Sequence, residues 1–79
     1  MRIVLVEDNI SMAKGLQYHL EDAGHAVDVL HDGAEADAFL RDQGADIVVL
    51  DINLPNMDGM MILRQMRQRD DMRPVLMLT

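Results

Sequence analysis

The chain has 79 residues, of which 14 are acidic and 7 are Lys or Arg, and its formal net charge is -7. This balance excludes a surface that grips the phosphate backbone of nucleic acid, because that contact requires clustered lysine and arginine. There is no cysteine, which excludes a disulfide or thiolate-metal framework and favours a cytoplasmic location. The apolar runs fall far short of the roughly 20 residues that cross a bilayer, so we expect no membrane association.

Short apolar runs alternate with segments of helical period, in the order β-α-β-α-β-α-β. Residues 3–6 form a continuous apolar run, the pattern of a strand covered on both faces. A helix is predicted over 10–23, with Asn9 as its N-cap. Its buried stripe is predicted to comprise Met12, Leu16, Leu20 and Ala23. The next run, 26–30, alternates around Asp28 and therefore predicts an edge or half-exposed strand.

The second half of the chain continues this alternation. A short helix over 34–41 precedes 47–50, another continuous apolar run that predicts a central strand. A third helix is predicted to start near Asp58, and Pro74 leads into the last apolar run, 75–79. The arginines predicted to lie on the exposed face of the third helix are Arg64, Arg67 and Arg69. Strands and helices in this order predict a parallel sheet with helices on both faces.

The last apolar run is predicted to need cover on both faces, yet no further helix follows it in the sequence. An uncovered apolar strand favours pairing with another chain. We therefore expect either that the 79 residues are part of a longer chain or that a second copy covers the strand, as a homodimer or by exchange of elements.

Acidic side chains follow two of the predicted strands. Glu7 and Asp8 come directly after the first strand, Asp51 ends the third, and Thr79 ends the fourth. Ligands of parallel sheets bind beyond the carboxyl ends of the strands. If the first and third strands are neighbours, the three carboxylates repel one another, and Mg²⁺ would relieve that repulsion. The alternative is that each acid is a helix cap or a solvated loop residue.

The loop after the first strand, 7–11, disfavours nucleotide binding. It offers carboxylates where a bound phosphate needs glycines or hydroxyls, and the chain has no Walker A motif. Phosphoryl chemistry on an aspartate remains, because a carboxylate can act as a nucleophile and form an aspartyl phosphate. That chemistry would explain why the buried run "IVVLD" ends in the acid Asp51.

Three motifs, in this order and spacing, resemble the receiver domain of two-component response regulators. They are "IVLVED" at 3–8, "VVLDINLPNMDG" at 48–59 and "PVLMLT" at 74–79. The resemblance covers the whole chain but only about the first two thirds of a receiver, and it implies a flavodoxin-like parallel sheet. The implied strand order is 2-1-3-4, without the family's last strand and last two helices. We therefore expect residues 1–79 to be a partial receiver domain without its output domain.

The resemblance also implies a role for individual residues. Asp51 would accept a phosphoryl group from a histidine kinase, Asp8 would bind Mg²⁺ directly, and Glu7 would support the metal, often through water. The main-chain carbonyl of Asn53 would be a further metal ligand. Thr79 would bond a phosphoryl oxygen and report the modification. The residues implied to shape the loop after the acceptor and to start the third helix are Pro55, Asp58 and Gly59.

The chain departs from the family pattern at one functional position. The family places a lysine beside the phosphoryl group after a fifth strand, whereas the only lysine here is Lys14, on the first helix. We therefore expect poor phosphorylation of this chain by itself and no enzymatic activity beyond weak autophosphorylation or autodephosphorylation. The motifs look most like receivers joined to a winged-helix domain, which implies DNA binding only through that output domain.

Two functions of other classes remain open. An aspartate-nucleophile phosphohydrolase also places an acid at a strand end, but it requires a second acid two residues later, where Asn53 stands. A structural or dimerisation module would use the fold alone, with the last strand as its interface.

Overall fold

The computed structural model of the chain describes residues 1–78, so Thr79 and its predicted switch role lie outside the described residues. Strands and helices alternate along the chain as predicted. The strands are β1 (Arg2–Val6), β2 (Ala26–Leu30), β3 (Ile47–Asp51) and β4 (Val75–Leu78), and the helices are α1 (Ile10–Asp22), α2 (Gly33–Asp42) and α3 (Gly59–Gln68). None of the helices within 1–78 has the length and apolarity that a membrane crossing requires.

The four strands form one parallel sheet in the order β2-β1-β3-β4. This order confirms the predicted topology, including the edge position of β2 and the central position of β3. Val6 pairs with Leu50 in the ladder between β1 and β3. The carboxyl ends of these two central strands therefore meet at the same edge of the sheet, where the acidic residues follow.

The sheet separates two apolar clusters, which explains why β1 and β3 are continuously apolar. One face packs against α2 and α3, with Ala36, Leu40, Ile62 and Met66 among its buried residues. The apolar cluster on the other face is smaller and packs against α1. Both faces of the central strands are therefore covered by helices, as the apolar runs predict.

The predicted buried stripe of α1 is wrong at two of its four positions. Leu16 and Leu20 pack against the sheet as predicted, but Met12 is 48% exposed and Ala23 is exposed. Ala13 is fully buried in place of Met12. Successive residues of a helix point in directions about 100° apart, so a stripe centred on Ala13, Leu16 and Leu20 turns Met12 towards solvent.

The prediction that the arginines of α3 are exposed is wrong for two of the three. Arg64 is exposed, but Arg67 is half-buried and donates to the main-chain oxygen of Asp71 at 2.8 Å. Arg69 lies 2.9 Å from the carboxylate of Asp37, which is buried on α2. These long side chains extend along the protein surface until their charged ends meet an acceptor, so they connect α3 to its surroundings.

The strand β4 is covered unevenly. Val75 and Met77 pack against the cluster under α2 and α3, whereas Leu76, on the opposite face, is 54% exposed. Within residues 1–78, β4 pairs only with β3 and forms an edge of the sheet. What covers Leu76, a longer chain or a second copy, stays a prediction.

Candidate metal centre

Three carboxylates from two neighbouring strands converge at one edge of the sheet. Glu7 and Asp8 follow β1 directly, and Asp51 is the last residue of β3. Each offers one carboxylate oxygen, and these oxygens all lie within 4.8 Å of one another. The predicted convergence is therefore confirmed, and it follows from the pairing of β1 with β3. We call Glu7, Asp8 and Asp51 the acidic cluster.

The main chain and one short turn fix Glu7. Its amide donates to the carbonyl of Leu30 at 3.0 Å, which extends the ladder between β1 and β2 by one residue. Its side chain is buried, and the Oε2 atom accepts from the amide of Asn9 at 3.0 Å. Asn9 also caps α1 by accepting from the amide of Met12 at 3.0 Å, as its sequence position predicts. The turn that starts α1 therefore also holds the buried acid.

The electrostatics of the acidic cluster are unfavourable as they stand. Burial raises the pKa of Glu7, the Asn9 amide partly offsets this, and the neighbouring Asp8 and Asp51 raise the pKa further. The ion pairs among residues 1–78 join Arg2, Arg41, Arg69 and Arg73 to other carboxylates. No arginine in that part of the chain neutralises the cluster, so the repulsion that raises the pKa of Glu7 is one that a bound cation would relieve.

The residues present fit a hard divalent cation. The three donors are carboxylate oxygens, which Mg²⁺ prefers, and it binds through one or two of them while keeping several waters. Glu7 is buried, Asp51 is half-buried and Asp8 is exposed, so the cluster is anchored on one side and open to water on the other. Asn53 follows Asp51 by two residues and is exposed, and its predicted carbonyl ligation stays a prediction.

The loop between β3 and α3, residues 52–58, is held close to Asp51. The amide of Gly59 donates to the carbonyl of Ile52 at 2.8 Å. A Cβ atom on Gly59 would lie 2.2 Å from the main-chain oxygen of Asp51, so no other residue fits here without moving the end of β3. Asp58 caps α3 with its side chain. The start of α3, at Asp58 and Gly59, is therefore packed directly against the main chain at the end of β3.

The turn between β2 and α2 also contacts the site, a contact that the local sequence pattern does not predict. The imidazole Nδ1 of His31 lies 2.8 Å from the main-chain oxygen of Glu7. The amide of Gly33 donates to the carbonyl of Pro55 at 3.0 Å, so Pro55 is fixed from outside its own loop. The sequence signal that could have indicated this turn is the Asp-Gly pair at 32–33, because the same pair at 58–59 starts α3.

A family model and the most similar relatives both identify the chain as part of a response regulator. The family model described as the response regulator receiver domain matches residues 3–79. Over 79 residues, the chain is 42% identical to the virulence transcriptional regulatory protein PhoP of Salmonella typhimurium and covers 35% of that protein. It is 40% identical to the transcriptional regulatory protein PhoP of Escherichia coli strain K12, again over 35% of the relative's length. The chain thus spans about a third of these curated relatives.

Solved structures share the fold. The receiver domain of the Francisella response regulator 1452 has a TM-score of 0.94 and 25% identity, with 96% of this chain and 63% of that chain covered. The response regulator protein TrrA of Thermotoga maritima, solved in complex with Mg²⁺ and BeF, has a TM-score of 0.93 and 27% identity. The match covers 99% of this chain and 68% of TrrA. The predicted flavodoxin-like architecture is therefore confirmed for the described residues.

Proposed function

The chain belongs to the response regulator receiver domain family, and from this premise we propose that Asp51 accepts a phosphoryl group from a sensor histidine kinase. The observation that carries the proposal is the convergence of Asp51 with Glu7 and Asp8 within 4.8 Å. An acid that served only as a cap or a surface charge would gain nothing from two like charges beside it. Phosphoryl transfer to Asp51 requires a cation at this place, and such a cation would offset the repulsion among the three acids.

In this proposal Asp51 is the nucleophile. The strand β3 fixes its main chain, and its half-buried side chain stands at the open edge of the sheet. One carboxylate oxygen attacks the phosphorus atom of the donor phosphohistidine, and the P–O bond forms as the P–N bond breaks. The leaving imidazole takes up a proton, and the product on the receiver is an aspartyl phosphate.

Glu7 and Asp8 would hold Mg²⁺ beside the nucleophile. Asp8 is exposed and so is placed to bind directly, while the buried Glu7 sets the charge and the position of the loop. The carbonyl of Asn53 is the proposed third protein ligand. When bound, Mg²⁺ supplies positive charge that neutralises the phosphoryl oxygens. Pro55, Asp58 and Gly59 keep the loop with Asn53 against the end of β3.

The finer parts of the proposal concern the whole protein. Similarity to the transcriptional regulatory protein PhoP supports a role in transcriptional regulation. We propose that the whole protein is cytoplasmic and that a DNA-binding output domain responds to phosphorylation of a receiver that includes residues 1–79. Thr79 would bond a phosphoryl oxygen and so report the modification to the distal face of that receiver. The exposed side chain of Leu76 supports contact of β4 with a second copy, by dimerisation or by exchange of elements. A purely structural module would share this last property and would lack phosphorylation.

Incubation with acetyl phosphate and Mg²⁺, followed by intact-mass and peptide mass spectrometry, tests the acceptor. We expect phosphorylation of Asp51 alone and at low yield, with none on Asp51→Asn or after chelation of the metal. The adduct should form slowly and incompletely, because the only lysine of the chain, Lys14, lies exposed on α1 and not after a strand beside the phosphoryl group, where the family places one. Asp42→Asn, an exposed position on α2, is the matched control that keeps the label. Undiminished labelling of Asp51→Asn would contradict the proposal.

A further inference from the structure

We propose that the β2–α2 turn, residues 30–33, is a positioning element that holds the two loops of the acidic cluster in place for Mg²⁺. This inference rests on the proposed function. The turn contains no member of the acidic cluster. It contacts the main chain on both sides of the cluster, so its effect on the metal would pass through the residues that it holds.

The first half of the turn binds the main chain of Glu7. The carbonyl of Leu30 accepts from the Glu7 amide at 3.0 Å. The carbonyl of Glu7 can only accept, so the Nδ1 atom of His31, 2.8 Å away, is the donor. Both main-chain polar groups of Glu7 are therefore bonded to the turn, which fixes the start of the loop that carries Asp8.

The second half of the turn holds the loop after Asp51. The amide of Gly33 donates to the carbonyl of Pro55 at 3.0 Å, and the side-chain amide of Asn56 donates to the Oδ1 atom of Asp32. Asn56 has φ 68°, a left-handed conformation that asparagine tolerates better than most residues. A Cβ atom on Gly33 would lie 1.7 Å from the main-chain oxygen of Met57. The turn and the loop are thus in direct main-chain contact that no larger residue permits.

Asp32 has two separable tasks, which allows positioning to be distinguished from simple stability. Its Oδ2 atom accepts from the amide of Glu35 at 2.9 Å and caps α2. Its other oxygen, Oδ1, binds Asn56. A serine at position 32 supplies one capping oxygen of comparable quality, but it has no second oxygen for Asn56.

The contacts of the turn are those expected of groups that orient metal ligands from outside. Loss of such outer contacts typically weakens metal binding by about 10- to 100-fold. The loop held by Gly33 and Asp32 directly follows Asp51 and carries Asn53. The loop that is joined to Leu30 and His31 carries Glu7 and Asp8. One four-residue turn therefore bridges both sources of ligands.

The first test compares two glycine substitutions. Each variant is titrated with Mg²⁺, and the amide NMR shifts report binding at a temperature where every variant is folded. Gly33→Ala should raise the Mg²⁺ Kd by about tenfold and shift the amides of residues 52–58. Gly44→Ala is the matched control, because a Cβ atom there meets nothing within 4 Å, and its Kd should equal that of the wild type. Equal Kd values for both variants would overturn the positioning role.

The second test uses Asp32→Ala and Asp32→Ser, and it decides the question if Gly33→Ala does not fold. The serine variant should recover the Tm lost in the alanine variant, because it restores the cap of α2. Its Mg²⁺ Kd should stay raised by about tenfold, because the bond from Asn56 is still absent. Recovery of both the Tm and the Kd would show that the turn acts only through the stability of α2, and would overturn the inference.

Asp51→Asn separates this inference from the proposed function. If that variant binds Mg²⁺ as well as the wild type, the proposed metal site itself is wrong. If Asp51→Asn weakens binding while Gly33→Ala and Asp32→Ser do not, the metal site stands and the positioning role fails.

Discussion

Two carboxylates are buried among the described residues, and their surroundings are opposite. Asp37 is 4% exposed and lies 2.9 Å from Arg69 and 3.3 Å from Arg41. Glu7 is 3% exposed and has two acids beside it. Burying a carboxylate costs free energy unless it is paired. The charge of Asp37 is balanced inside the protein. Glu7 forms no ion pair within residues 1–78, and we propose that a cation from solution balances it.

We propose that this difference distinguishes a structural charge cluster around Asp37 from a metal-binding cluster around Glu7. Arg41 lies on α2 together with Asp37, whereas Arg69 directly follows α3. The pair between Asp37 and Arg69 therefore connects two helices on the same face of the sheet. Glu7 stands at the end of β1, where the sheet opens to solvent. These two acids are buried to a similar extent, and the sign of the charges beside them is what distinguishes them.

Removing the paired acid should produce the largest loss of stability. Asp37→Ala leaves Arg69, whose side chain is only 22% exposed, without its carboxylate. We expect the free energy of unfolding to fall by about 2 kcal/mol, less than for a fully buried pair because both arginines stay partly solvated. Urea unfolding measures the change. Asp42→Ala, an exposed position on the same helix, should change it by less than about 0.5 kcal/mol.

An equal loss in Asp37→Ala and Asp42→Ala would show that Arg69 is well solvated by itself. The claim that the ion pairs of Asp37 stabilise the fold would then be wrong.

A smaller effect, opposite in sign for the two kinds of acid, should appear in the pH dependence of the Tm without Mg²⁺. The pKa of Glu7 is raised above 4.5, mainly by burial, so the folded state loses stability as pH rises through that raised value. Glu7→Gln should therefore be more stable than the wild type at neutral pH and lose this advantage in acid.

Asp71, which is paired with Arg73, is the second acid of the same experiment. Hydrogen bonds from Arg73 are the main cause that lowers the pKa of Asp71 below 3.8. Its stabilising contribution is complete above 3.8 and disappears as pH falls through the lowered value. Asp71→Asn should therefore be less stable than the wild type at neutral pH and approach it in acid. Tm changes of the same sign for Glu7→Gln and Asp71→Asn at neutral pH would contradict the comparison.

The sequence predicts those features that depend on local pattern. Asn9 and Asp58 cap their helices where the sequence places them, and the apolar runs become the two central strands. The acidic cluster is predictable because strand ends of a parallel sheet share an edge. The order of the strands came from the family resemblance, since apolar periodicity alone does not fix which strands are neighbours.

The features that the sequence does not predict are contacts between distant polar residues. Arg69 resembles any charged residue on a solvated helix until Asp37, 32 positions earlier, is brought beside it. The bond between Asn56 and Asp32 likewise spans 24 positions. Polar residues at such separations have the same local pattern whether they are solvated or paired, so only the folded arrangement distinguishes them.

The most direct test of the account is the Mg²⁺ Kd of three proteins, measured by NMR titration at a temperature where each is folded: the wild type, Asp8→Asn and Asp37→Asn. We predict that Asp8→Asn weakens Mg²⁺ binding by more than about tenfold, the scale seen when an outer contact of a metal site is lost. Asp37→Asn should be less stable and yet bind Mg²⁺ as the wild type does. Equal affinity in the wild type and Asp8→Asn, or a loss confined to Asp37→Asn, would contradict the claim that the unpaired acidic cluster is the metal site.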